Sequence, residues 1–200
     1  MSTGWDTKMQ VVPLSRLLKQ LYSDVGKIEK IKPMGRLDIL NCTSHNPLAA
    51  QRLKRWQKKY FAKSHTKIIH RSLNHLVREE AIAYFLTKKN TIVMPLRREL
   101  RSPCVYYRLL YHEMLHQTGP LLRPDWIRKY HHGYQRREEH VADLGAWYAL
   151  WQSKAPVDLR LQQVLYLYHC GTLRSSKRHQ QAIKETYRAI QYIAKTIGGR

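Results

Sequence analysis

The stretch Tyr111-His112-Glu113-Met114-Leu115-His116 decides how this chain is read. It is an H-E-x-x-H pattern. Residues four apart share one helical face, so within a helix His112 and His116 offer imidazole nitrogens to one metal ion. Glu113 follows the first of them directly. From there it can reach a water held by that metal and act as its general base. A catalytic zinc takes three protein ligands and keeps one position open for water, so the pattern asks for a third ligand elsewhere. Alone the pattern is weak, because 11 His make chance matches common. Its surroundings strengthen it. Ser102-Pro103 is a helix start, with Ser as N-cap and Pro in the first turn. Val105, Leu109 and Leu110 supply an apolar stripe. Gly119-Pro120 is a helix stop, with Gly expected as C-cap. Apolar Tyr111, Met114 and Leu115 around the histidines argue for a packed helix rather than a solvated one.

Upstream, Ala81-Ile82-Ala83-Tyr84-Phe85-Leu86 and Thr91-Ile92-Val93-Met94 flank Lys88-Lys89-Asn90 and read as a β-hairpin. Pro95 ends the second strand or places it at an edge, where an extended peptide would add by β-augmentation. Asn46-Pro47 opens a basic helix over 48–62, carrying Arg52, Lys54, Arg55, Lys58 and Lys59. Trp56, Tyr60 and Phe61 interleave with these charges. They serve either as stacking groups for nucleic acid or as a core-facing stripe; the core reading is preferred. Residues 66–80 suit strand and helix equally. Leu14 to Tyr22 has the spacing of a short amphipathic helix, and Asp38 to Cys42 that of a short strand. Downstream come a loop over 121–133, a helix over 135–152 broken by Pro156, and two closing helices over 158–170 and 175–197. The last carries Ile183, Tyr187, Ile190 and Ala194 on one face.

Two candidates compete for the third ligand. Glu139, in Glu139-His140-Val141-Ala142-Asp143, lies on a second helix with a carboxylate four residues later on the same face. Glu139 can close the coordination sphere, and Asp143 can accept a hydrogen bond from the non-ligating nitrogen of His112 or His116. Glu138 and His140 project from other faces and are not expected as ligands. The alternative is a His of the loop, His132 or its neighbour His131. Glu139 is preferred.

His112-Glu113-x-x-His116 followed by Glu139-x-x-Ala142-Asp143 resembles the gluzincin metalloproteases. The resemblance covers residues of about 90–150. It implies zinc held by His112, His116 and Glu139, Glu113 as catalytic base, and a small sheet leaning on the motif helix. Within that group the chain is similar to the soluble ImmA/IrrE-like proteins, not to the membrane-embedded HtpX-like ones, since it has no spanning segment. The layout Thr91–Met94, motif helix and His131-His132-Gly133 also resembles the SprT-like metalloproteases. That resemblance implies His132 as third ligand and an association with DNA.

The chain has 200 residues, 43% of them hydrophobic, with 13 Tyr and 5 Trp, enough to bury one core. The expected fold is α+β and mainly helical, a zincin-like domain with a small antiparallel sheet packed on the H-E-x-x-H helix. Residues 1–45 form an N-terminal extension, 46–155 the metalloprotease core, and 156–200 C-terminal helices packed on it. Cysteines 42, 104 and 170 form no metal or pairing motif and are expected as buried small hydrophobes in a reducing compartment. With no signal-like start and no apolar run long enough to span a bilayer, the chain reads as cytoplasmic. Lys and Arg number 36 against 14 Asp and Glu, a net charge of +22, which favours polyanionic partners. The expected activity is zinc-dependent peptide-bond hydrolysis on a protein or peptide substrate. Tyr134, His131 and His132 are the candidate oxyanion donors. The competing class is a non-enzymatic, basic nucleic-acid-binding protein with a structural metal.

Overall fold

Asn46 starts the first described helix: its side-chain oxygen accepts from the Ala49 amide at 3.1 Å, and Pro47 fills the first turn. The computed structural model describes residues 46–79, 81–125, 134–155 and 176–198; the segments expected at 14–22, 38–42 and 158–170 lie outside them, as do His131 and His132. Helix α1 (Pro47–Ser64) ends at His65 in the left-handed region. It leads into β1 (Lys67–Arg71), a short helix α2 (Leu73–Arg78), β2 (Tyr84–Leu86), a 3-10 turn (Thr87–Lys89) and β3 (Thr91–Pro95). Another 3-10 turn (Arg97–Glu99) precedes α3 (Pro103–Gln117). A helical turn α4 (Gly119–Leu122), α5 (Gln135–Gln152) and α6 (Ser176–Thr196) complete the described elements.

The fold is α+β and mainly helical, as expected, but the sheet is mixed rather than antiparallel. Its order is β1-β3-β2. The predicted hairpin is present, with Tyr84 opposite Val93 and Leu86 opposite Thr91. Asn90 turns it in the left-handed region at φ 42°, a conformation Asn tolerates. Its side chain reaches the Ser64 carbonyl at 3.1 Å and accepts from Thr66 at 3.2 Å, which fastens the hairpin to the end of α1. β1 joins β3 in parallel, Lys67 beside Thr91 through Arg71 beside Pro95. So β3 is central, not an edge, and the augmentation expected there is closed off. Pro95 fits a central strand because it stands at the last pair of the ladder.

All five residues of β3 are buried, and it lies with β2 against α3. Helices α1, α5 and α6 pack on α3 and on one another. α3 is therefore wrapped: Tyr106, Leu110, Tyr111, Met114 and Leu115 are all at most 2% exposed. The aromatics of α1 take the core role. Trp56 and Tyr60 are buried, Tyr60 hydrogen-bonds Gln117 of α3, and the Tyr111 hydroxyl donates to the Leu53 carbonyl at 3.2 Å. Cys104 is a buried free thiol at the start of α3.

Candidate metal centre

Ser102 caps α3 as expected, accepting from the Cys104 amide at 3.1 Å. The other end differs from expectation. Gly119 is not a left-handed cap; with Pro120 it opens α4. The buried carbonyl of Leu115 accepts instead from the Thr118 hydroxyl at 2.6 Å and from Arg123 at 3.1 Å. This places His112 and His116 in the last turns of α3, facing α5. Gly145 lets α5 come close. A Cβ built there would lie 2.5 Å from Cγ of Leu115, a branching carbon fixed in the core.

The imidazoles of His112 and His116 approach each other through their Nε2 atoms at 3.0 Å. Glu139 faces both, 3.4 Å from Nε2 of His112 and 3.5 Å from Nε2 of His116. The remaining ring nitrogens are each directed at a carboxylate. Nδ1 of His112 lies 2.9 Å from Asp143, and Nδ1 of His116 lies 3.5 Å from Glu138. Glu138 is buried and bound by Arg123 through two contacts, at 2.5 and 2.8 Å. Arg108 stands 4.0 Å from Asp143. Glu113 is buried beside the pair of histidines, close enough to be influenced by both.

The structure thus brings together four residues the sequence singled out, His112, His116, Glu139 and Asp143, with Glu113 adjacent. Glu138 is not part of the converging triad, as expected, but its place behind His116 was not foreseen. Neither was Arg123. Nothing in the residue pattern links positions 123 and 138; only the fold of α4 back toward α5 joins them.

Electrostatics follow from this crowding. Burial opposes charge on His116, yet Glu139 and Glu138 outweigh it and raise its pKa to about 9. Burial likewise opposes charge on His112, and Asp143 with Glu139 lifts it well above the usual imidazole value. Burial would raise Glu139, but the two imidazoles hold it well below the normal carboxyl range. Burial raises Glu113, with His112 and His116 only partly opposing.

The donor set fits a zinc ion. Tetrahedral ligands at zinc distances lie ~3.3 Å apart; here the two Nε2 atoms are 3.0 Å apart, with Oε2 of Glu139 3.4 Å from that of His112 and Oε1 of Glu139 3.5 Å from that of His116. Each Nδ1 faces a carboxylate, which would leave Nε2 to coordinate a metal. Charge agrees as well. Glu113, Glu138, Glu139 and Asp143 face Arg108 and Arg123 here. With neutral imidazoles the excess is two negative charges, which a dication balances.

A sequence model for a family described as zincin-like metallopeptidase matches residues 63–186, more than half of the chain. The chain belongs to that family. The zincin-like match begins at the last turn of α1 and spans the sheet, α3 and α5. No curated protein matches the chain. Among solved structures, the metal-free crystal structure of the antirestriction protein ArdC from the R388 plasmid is similar at 20% identity and a TM-score of 0.49. That likeness covers 84% of this zincin-like chain and 54% of the ArdC chain, so this chain spans about half the length of that one.

Proposed function

We propose that this protein is a zinc-dependent peptidase, with His112, His116 and Glu139 as metal ligands and Glu113 as general base. The observation that carries the reading is the convergence of two Nε2 atoms and one carboxylate within 3.5 Å of each other, on two buried helices of a zincin-like domain. Zinc held there supplies Lewis acidity toward a peptide carbonyl and lowers the pKa of water to about 7. The chain supplies the rest. Asp143 and Glu138 fix the ring orientation of the two histidines, which costs tenfold or more in metal affinity when such a partner is lost. Glu113, raised by burial, accepts a proton from water and returns it to the leaving amine. Glu139 is preferred to a ligand from the 131–132 pair because its carboxylate offers an oxygen within 3.5 Å of each Nε2.

The experiment is Glu113→Gln assayed for zinc content and for hydrolysis of a fluorogenic peptide library. Zinc near one equivalent, with turnover lowered about 10²–10⁴-fold, is the expected result. Unchanged turnover would remove Glu113 from the mechanism. Loss of zinc would make Glu113 a ligand instead.

A further inference from the structure

The outer face of α1 carries Lys54, Arg55, Lys58, Lys59 and Lys63, all exposed. No acidic residue occurs anywhere in Pro47–Ser64. Among the described residues none of these five cations makes an ion pair, in contrast to the exposed Arg71 and Arg188, which do. α1 packs against α6, and α6 exposes Lys177, Lys184, Arg188 and Lys195 along its own outer side. Glu185, paired with Arg188, is the one carboxylate of these two helices, and four other described carboxylates gather around the histidines. Bringing so many like charges together on two adjoining helices raises the free energy of the bare surface, and a polyanion relieves it by displacing counterions.

We propose that the α1–α6 face binds double-stranded nucleic acid through its phosphates, without reading sequence. Three features select this partner. Cations one helical turn apart, about 5–6 Å, suit the regular charge of a nucleic-acid backbone. Single-strand binding needs exposed aromatic platforms, and the aromatics of α1 face inward: Trp56 is 2% and Tyr60 0% exposed, and Phe61 is partly buried against the core. A membrane surface would require apolar groups among the lysines, and Leu48 in the first turn is the one large exposed apolar side chain of this helix. The proposal does not depend on peptidase activity.

The test is fluorescence anisotropy of the full chain with a 30-base-pair duplex of mixed sequence between 50 and 200 mM salt. Each phosphate contact contributes about −0.9 to the slope of log K against log salt. Arg55→Gln/Lys59→Gln/Lys63→Gln, which empties one row of residues four apart, is expected to flatten that slope by ~2.7, which removes about 40-fold from the affinity change over this range. A control, Lys88→Gln/Lys89→Gln/Arg101→Gln, removes the same charge from exposed positions elsewhere and is expected to leave the slope within one contact of the parent. Equal flattening by both variants would overturn the proposal in favour of generic attraction. So would a parent slope shallower than three contacts. Tighter binding of the single strand than of the duplex would overturn the choice of partner. Circular dichroism of the α1 variant is expected to match the parent, because all three side chains point to solvent.

Discussion

At the residue scale the proposed centre favours protonated histidines in the absence of metal. His112 and His116 are raised by the carboxylates that surround them, His116 to about 9. Zinc must displace those protons, so apparent affinity rises with pH until the imidazoles are neutral. We expect zinc affinity, measured by competition with a chelator at pH 6.5 and 8.5, to rise about tenfold per pH unit for each proton displaced. Calorimetry in buffers of different ionisation enthalpy is expected to show proton release; none would mean that the histidines are neutral without metal. Asp143→Asn keeps the size of the side chain but removes the charge facing Nδ1 of His112. It is expected to weaken zinc binding by about 10–100-fold while leaving the stoichiometry at one.

At the scale of elements, two contacts set the α3–α5 geometry. Gly145→Ala would drive a methyl group into Leu115, at a cost of about 1–3 kcal/mol, a fall in Tm of roughly 2–12 °C for a chain of this size. The same variant is expected to weaken zinc binding, because Asp143 and Glu139 move with α5. Arg123 and Glu138 join the turn after α3 to α5 at 2.5 Å, both side chains 1% exposed. Arg123→Met leaves a buried carboxylate without its cation, a loss of about 3–5 kcal/mol, read by thermal melting. Burial alone would raise Glu138, but Arg123 first and His116 after it hold it below the usual value. Its contribution is therefore present above the unfolded carboxyl pKa and is lost as pH falls through the folded one, so Arg123→Met should also flatten the acid side of the stability curve. The elements that carry the site were legible because their ends are punctuated: Ser102-Pro103 and Asn46-Pro47 both cap as read. β1 was not, because its exposed Lys67, Ile69 and His70 leave no alternating pattern, as befits a strand with one open side. Pro95 does end β3, one of its two readings; only the edge reading fails, since a proline at the final pair of a ladder costs nothing that an edge position would save. The place of Glu138 behind His116 was not foreseen because helical spacing assigns one face to each residue of α5, whereas His116 presents one nitrogen to Glu139 and the other to its neighbour.

At the scale of the whole molecule, no described helix is long and apolar enough to cross a membrane. Metal loading is expected to stabilise the fold by mass action. Zinc at a hundred times its Kd adds about 2.7 kcal/mol, which is roughly 5–11 °C in Tm, and a chelator should reverse it. An unchanged Tm would mean that the two-helix frame closes equally well around protons. The family match starts at residue 63, yet α1 lies almost wholly before that point and supplies Leu53, Trp56 and Tyr60 to the interior. Asn46 and Arg52 also hold the far end of α5, through the carbonyls of Lys154 and Ser153, each at 3.0 Å. The inherited module and the folding unit therefore have different boundaries. A chain shortened to start at residue 63 would bare the underside of the motif helix and free the tail of its partner, and should yield aggregate rather than a smaller folded domain.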